Sequence, residues 1–266
     1  LDGTLLAPDH ITIPPRTLSA LTSAHQNGVK IAISTGRTLS LIKNVAEKLP
    51  FVDYIIYSNG AGVYDCRKKE TVFTEPVKKD KSEAITTLLE SLGVYYNIYA
   101  DGNIYISSEL DSHIFEKVDL PKDFLNQFLS TAVAVNDIKT ATSDKATEMI
   151  VAYFAPEKAR REIMLLINEL DGLHTVSSFS DNIEIMSENA SKGNAVKAIC
   201  NIIGCTNENA MTFGDAWNDC SMLEFADHSF AMANGDAKCK MSAKNICPSN
   251  AEDGVAQMIE KYILNT

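Results

Sequence analysis

Two acidic turns lie near opposite ends of this chain. The first is Asp2-Gly3-Thr4, and the second is Gly214-Asp215-Ala216-Trp217-Asn218-Asp219. In the second, an apolar strand breaks into Gly-Asp, and Asp219 follows Asp215 at the start of an expected helix with Asn218 beside it. One acid or amide is enough to cap a helix. Two carboxylates and an amide exceed that need, and clustered carboxylates repel one another unless a cation or proton lies between them. A hard cation such as Mg²⁺ takes one or two carboxylates together with waters and the oxygens of a phosphate. Asp2, Asp215 and Asp219 are the candidate metal ligands, provided that folding brings the two turns together. Asp-Gly is also a common turn dipeptide, so Asp2 alone carries little weight.

Three further positions suit anion chemistry. Lys192 precedes Gly193 at the N-terminus of an expected helix, where the helix dipole does not favour a cation and an anionic partner would. Thr35-Gly36 follows an apolar strand and offers a hydroxyl and a backbone N–H at a helix start. Such a residue is equally an ordinary N-cap. Asn59-Gly60 ends another strand and could be a simple turn.

The elements that must position these residues follow from periodicity. Thr12-Ile13-Pro14-Pro15 signals a helix start, and that helix carries Leu18, Leu21 and Ala24 on one face and stops at Asn27-Gly28. Residues 29–34 read as a strand, followed by Thr35-Gly36-Arg37 and a helix through Leu41, Val45 and Leu49. Residues 54–57 form the next strand. This alternation is that of a parallel α/β sheet, whose ligands sit beyond the carboxyl ends of the strands.

After about residue 80 the texture changes. A helix over 82–92 is followed by strands 94–99 and 103–107 across an Asp101-Gly102 hairpin turn. A less regular stretch leads to a strand at 148–154, a helix over 156–170 and strands at 173–178 and 182–186. Helix followed by paired strands, twice, predicts an α+β domain over 81–187, inserted into an α/β domain made of 1–80 and 188–266. From Lys192 the α/β rhythm returns: helix 195–203, strand 210–213, helix 217–225, strand 228–232, a helix from Asp236, a strand near Ile246 and a last helix 255–262.

Bulk properties narrow the function. At 266 residues, 45% hydrophobic and 22% charged, the chain has an ordinary globular composition. A formal charge of −11 speaks against nucleic acid and anionic membrane as partners. No apolar run reaches the roughly 18 residues of a transmembrane helix, and no signal peptide is recognisable. The six cysteines contain no C-x-x-C pair and the five histidines no H-x-x-x-H pair. Reduced thiols and a cytoplasmic location are therefore expected, without zinc.

The ordered set of D-G-T, then T-G-R after a strand, then K-G, then G-D-x-x-N-D resembles the four motifs of the haloacid dehalogenase-like hydrolases. It is most similar to the Cof-type phosphatases with a large inserted cap. The resemblance spans essentially the whole chain, with support from Ser58-Asn59-Gly60-Ala61 and from residues 250–256. It implies an α/β Rossmann-like core with an α+β cap, and Mg²⁺-dependent hydrolysis of small phosphorylated metabolites, such as sugar phosphates, through an aspartyl-phosphate. By resemblance, Asp2 protonates the leaving oxygen and later activates water. Thr35, with Gly36 and Asn59, holds the phosphoryl group. Lys192 neutralises charge and orients the nucleophile. Asp215 binds Mg²⁺ with Asn218 and Asp219 in support, and Asn218 also lies on the phosphate side. The cap selects the substrate, with Tyr99, Asp101 and residues 179–184 as the first places to look. A monomer or weak homodimer is expected. Alternatives are a phosphomutase of the same fold and a non-catalytic phosphometabolite binder.

The sequence departs from the pattern at its start. The first motif of the family reads D-x-D-G-T, and the nucleophilic Asp belongs immediately before Leu1. A central strand buried on both faces cannot be left out of a stable fold. The natural protein is therefore expected to carry about six to eight further residues ending in Asp. Were the chain complete as it stands, neither turnover nor good stability would be expected. A smaller departure is Met232-Ala233-Asn234-Gly235, where relatives often have Met-Gly-Asn-Ala.

Overall fold

The structure is a computed structural model that describes residues 1–9, 11–46, 48–109, 122–176 and 182–265. An opening turn leads into α1 (Pro15–Gln26), β1 (Ala32–Ser34), α2 (Leu39–Ala46), β2 (Tyr54–Tyr57), β3 (Gly62–Asp65) and β4 (Glu70–Thr74). Then come α3 (Lys79–Ser91), β5 (Tyr95–Ala100), β6 (Asn103–Ser107), α4 (Lys122–Thr131), β7 (Val133–Val135) and α5 (Ile138–Thr142). They are followed by β8 (Thr147–Tyr153), α6 (Glu157–Glu169), β9 (Leu173–Val176) and β10 (Asn182–Ser187). The chain closes with α7 (Lys192–Ile203), β11 (Met211–Gly214), α8 (Cys220–Phe225), β12 (His228–Met232), α9 (Ala237–Ser242), β13 (Asn245–Cys247) and α10 (Gly254–Ile259).

The chain divides into two compact units. The first comprises Leu1–Gly36, Val45–Phe73 and Ser191–Thr266; the second comprises Arg37–Asn44 and Thr74–Ala190.

In the first unit β1 and β2 pair in parallel, Ile33 opposite Ile55, and β3 returns antiparallel beside β2. β11, β12 and β13 form a separate parallel sheet. The core between this second sheet and its helices joins Ala20, Leu21 and Ala24 of α1 to Phe230, Met232, Val255, Ala256 and Ile259. Its helical members are the apolar positions at helical spacing along α1 and α10, and Phe230 and Met232 come from β12. Parallel pairing sets the ends of β1 and β2 side by side with the loops that follow them, Thr35-Gly36 and Ser58-Asn59-Gly60, and a hydrogen bond from Asn218 to Asn59 joins to them the turn that begins at Asp215 after β11.

The second unit is built on a six-stranded sheet of order β7-β6-β5-β8-β10-β9. Its pairs are antiparallel except β6 with β7. Alternation sends Tyr96, Ile98, Ile150, Ala152, Ile183 and Ile185 to one face, where Ile85 and Leu89 of α3 and Ile163 and Ile167 of α6 cover them.

The mixed α/β architecture agrees with the sequence-based expectation, with local differences. The strand predicted over 29–34 pairs only from Ala32, because the Ile31 N–H is taken by the Asp53 carboxylate at 3.1 Å. The predicted helix over 217–225 opens as a 3-10 turn, Trp217–Asp219, before α8. β3 and β4 form a hairpin where no strands were predicted, its turn held by Asp65 Oδ1 accepting from the N–H groups of Arg67 and Lys68.

Of the residues named for substrate selection, Tyr99 is buried in β5, and its hydroxyl hydrogen-bonds to that of Tyr153. Asp101 occupies the hairpin tip with φ +47°, its carboxylate accepting from the Ala146 N–H at 3.1 Å. Residues 182–184 lie in β10, and residues 179–181 lie outside the described residues.

Candidate active site

The opening turn is closed by its own backbone. The Leu1 carbonyl accepts from the N–H groups of Leu5 at 2.9 Å and Leu6 at 3.0 Å, and Leu6 is fully buried. The turn meets the loop that follows β11. Thr4 donates its hydroxyl to Asp215 Oδ1. Gly3, at φ +71°, lies so close to Asp215 that a Cβ there would come within 2.2 Å of Oδ2. Only glycine both adopts this φ readily and leaves room for the carboxylate. The Leu1 nitrogen donates to the carbonyl of Ser34, the last residue of β1, at 3.4 Å. The two acidic turns, more than two hundred residues apart in sequence, thus share one locality.

Asp219 has a full set of protein partners. Its Oδ1 lies 2.5 Å from Lys192 Nζ, and its Oδ2 accepts from the N–H groups of Asp215 at 2.9 Å and Ala216 at 3.1 Å. Burial alone would push its carboxyl up, but Lys192 and these hydrogen bonds overcome burial and hold it below the usual carboxylate range. Both oxygens of Asp219, expected among the metal ligands, thus face Lys192 and the loop backbone. Asp215 behaves oppositely: burial raises its carboxyl despite the Thr4 hydroxyl and the nearby Lys192. A buried carboxylate whose charge is disfavoured is what a bound cation would relieve.

Among the described residues no group of three His, Cys, Asp or Glu side chains forms a metal cluster. A hard cation that completes its shell with water and substrate needs only one or two carboxylates. Asp215 and Asp2 supply oxygen donors of that kind, so the residues present fit Mg²⁺.

The predicted phosphate-binding residues form one network. Thr35 is buried; its N–H donates to Ile56 at 3.0 Å, and its carbonyl accepts from the Asn59 N–H at 3.1 Å. Asn59 Oδ1 accepts from Asn218 Nδ2 at 2.9 Å and packs on Gly36, where a Cβ would lie 3.0 Å from it. Asn218 Oδ1 is buried without a hydrogen-bond partner among the described residues. Gly60, at φ +98°, abuts the start of α7, where a Cβ would sit 2.2 Å from the Ser191 carbonyl. That close approach ties the loop after β2 to Lys192. Ser191 caps α7 through Asn194 N at 3.1 Å, and Ser221 Oγ accepts from the Gly193 N–H at 3.0 Å.

Sequence reasoning did not assign roles to Ser191, Ser221, Asn234 or Asn250. The first two carry a capping or turn signature that many surface serines share. Asn250 lies in a stretch noted only for its likeness to family sequences, and Asn234 in one noted only as a departure from them.

Comparison with known proteins places the chain in a family. A family model described as haloacid dehalogenase-like hydrolase matches residues 1–259. Phosphatase YwpJ of Bacillus subtilis is 29% identical, over 99% of this chain and 98% of its own. The pyridoxal phosphate phosphatase YbhA of Escherichia coli is 26% identical, over 99% and 97%. The solved structure of a haloacid dehalogenase-like hydrolase from B. subtilis superposes with a TM-score of 0.81 at 26% identity, covering 99% of this chain and 97% of the other. With its motifs gathered at the strand ends and a family match along nearly its whole length, the chain belongs to the haloacid dehalogenase-like hydrolases and is an enzyme of that family.

Proposed function

We propose that this enzyme is a Mg²⁺-dependent phosphatase of small phosphorylated metabolites that works through an aspartyl-phosphate. The observation that carries the reading is the seating of the Asp2-Gly3-Thr4 turn on Asp215, beside the buried Lys192–Asp219 pair. Relatives of full-length similarity are named as phosphatases, one of them for pyridoxal phosphate, which supports a small phosphomonoester as substrate.

In this reading the nucleophilic Asp is the motif position immediately before Leu1. Asp2 protonates the leaving oxygen and then takes a proton from the attacking water. Thr35 donates its hydroxyl to a phosphoryl oxygen, and Gly36 its N–H. Lys192, held by Asp219, places a positive charge against the oxygens of the transferring group, where charge builds up. Asn218, fixed by Asn59, orients its amide at the same group. Asp215, with Asp2 in its ionised form, would hold Mg²⁺, which when bound would neutralise charge on the phosphoryl oxygens. Asp219 supports this arrangement by fixing the Asp215–Ala216 backbone. The second unit acts as the substrate-selecting cap.

The test is a screen of the full-length natural protein, with Mg²⁺, against hexose phosphates, pyridoxal phosphate and nucleoside monophosphates. Release of inorganic phosphate from at least one of them is expected. Isomerisation of a hexose phosphate without phosphate release would point to a phosphomutase. Binding of a phosphometabolite without turnover would point to a non-catalytic binder.

A further inference from the structure

The loop that follows β12 touches both acidic turns. The Asp236 N–H donates to the Asp215 carbonyl at 2.8 Å, and Gly235 lies against the Asp215 backbone, where a Cβ would come within 2.9 Å of the carbonyl oxygen. Just before Gly235, Asn234 donates its Nδ2 to the Gly3 carbonyl at 2.8 Å. Its Oδ1 accepts from the Asn250 N–H at 3.2 Å, and Asn250 donates its own Nδ2 to the buried Leu6 carbonyl at 2.8 Å. The two asparagines thus hold the turn at both ends, Gly3 on one side and Leu6 on the other. The loop bearing Asn234 fixes the backbone of Asp215 at the same time.

From this geometry we infer that Asn234 and Asn250 are positioning residues, which set Asp2 against Asp215 by clamping the carbonyls of Gly3 and Leu6. The inference rests on the phosphatase reading for its effect on rate, and on geometry alone for its effect on the turn. Gly3 is the flexible link between Asp2 and Thr4. Its left-handed φ leaves a glycine many alternatives, and the bond to its carbonyl selects one of them. Displacement of a catalytic group by about 1 Å can cost about 10²-fold in rate, far more than one hydrogen bond contributes to stability.

Exposure separates this role from simple scaffolding. Asn250 is buried, and its truncation leaves the Leu6 carbonyl without its partner, which destabilises by itself. Asn234 is exposed, so water can replace it at the Gly3 carbonyl, and its truncation costs no more than the ~0.5–1.5 kcal/mol that a hydrogen bond contributes. Asn234→Ala is therefore the decisive variant. Asn234→Asp is its companion, since it keeps an acceptor for the Asn250 N–H and loses the donor to Gly3.

Two measurements test the inference. By hydrogen exchange with mass spectrometry, the Thr4–Leu6 amides of both Asn234 variants should exchange about tenfold faster than in the wild type, with the amides of β12 unchanged. With p-nitrophenyl phosphate and Mg²⁺, kcat of the full-length variants should fall about tenfold or more, with KM within about twofold. Unchanged exchange overturns the inference whether or not the protein turns over substrate. Faster exchange with kcat unaltered overturns the catalytic role and leaves a structural one. A wild type that releases no phosphate from any phosphomonoester refutes the phosphatase reading, and the exchange result still decides the clamp.

Discussion

Lys192 Nζ and Asp219 Oδ1 lie 2.5 Å apart, with side chains only 5% and 6% exposed. Lys192 opens α7 and Asp219 closes the loop after β11, so the pair joins two segments of the first unit at the level of the site. A buried pair of this kind is strongly destabilised when one partner is removed, because the other charge stays buried and uncompensated.

Lys192→Met and Asp219→Leu are each expected to lower the unfolding free energy by about 3–5 kcal/mol. The double variant should lose much less than the sum, since neither charge is then left alone. Urea denaturation of the four proteins checks this. Additive losses would show that the two groups are solvated independently.

Gly60 carries a second structural demand. Gly60→Ala places a methyl group against the Ser191 carbonyl at positive φ and is expected to cost about 2 kcal/mol or more. Gly28 has a similar φ of +88° but open space around it. Gly28→Ala should cost only about 1 kcal/mol, the conformational part. Thermal unfolding of the two variants gives the comparison, and equal losses would show that contact with α7 is not the constraint at Gly60.

The capping carboxylate of α5 gives a pH-dependent effect. Asp137 accepts from the Thr140 hydroxyl at 2.7 Å and from its N–H at 3.1 Å, and these bonds hold its carboxyl below the usual value of 3.8. A folded-state value below the unfolded one adds stability above the unfolded value, and that stability fades as pH falls through the folded one. Wild type should therefore be more stable than Asp137→Ala at pH 6, with the gap narrowing as the pH drops below 3.8. A gap that stays constant to pH 2 would exclude the charged carboxylate as its source.

Much of the candidate site was legible because the proposed chemistry uses unusual combinations. Two acids and an amide within one turn exceed what capping requires, and Thr35-Gly36 and Lys192-Gly193 stand at helix starts, a setting that suits anions. The fold was legible where period and punctuation agree, as at Pro14-Pro15 and at the Asp101-Gly102 hairpin, which pairs Ala100 with Asn103. Other features were hidden for physical reasons. Asn234 and Asn250 act on backbone carbonyls, which leave no mark on the residues they belong to, and Asn in a turn is ordinary. The engagement of Asp219 with Lys192 is a pairing across 27 positions that no local pattern encodes. The hairpin of β3 and β4 begins at Gly62, three residues after Asn59 at φ +54°, where the reading saw a strand end and a phosphate-binding turn but no further strand.

The central claim is that the opening turn and Asp215 form one Mg²⁺-dependent phosphoryl-transfer site. Trp217, the single tryptophan of the chain, lies in the same loop as Asp215, so its emission is expected to follow changes there. The most direct measurement is phosphate release from p-nitrophenyl phosphate by the full-length natural protein and its Asp215→Asn variant, across a Mg²⁺ titration with Trp217 emission recorded in parallel. The expected result is saturable Mg²⁺-dependent turnover and a matching change in emission in the wild type. In the variant the emission change should be lost and turnover should fall about 10²-fold or more. Equal turnover and equal Mg²⁺ response in the two proteins would contradict the assignment.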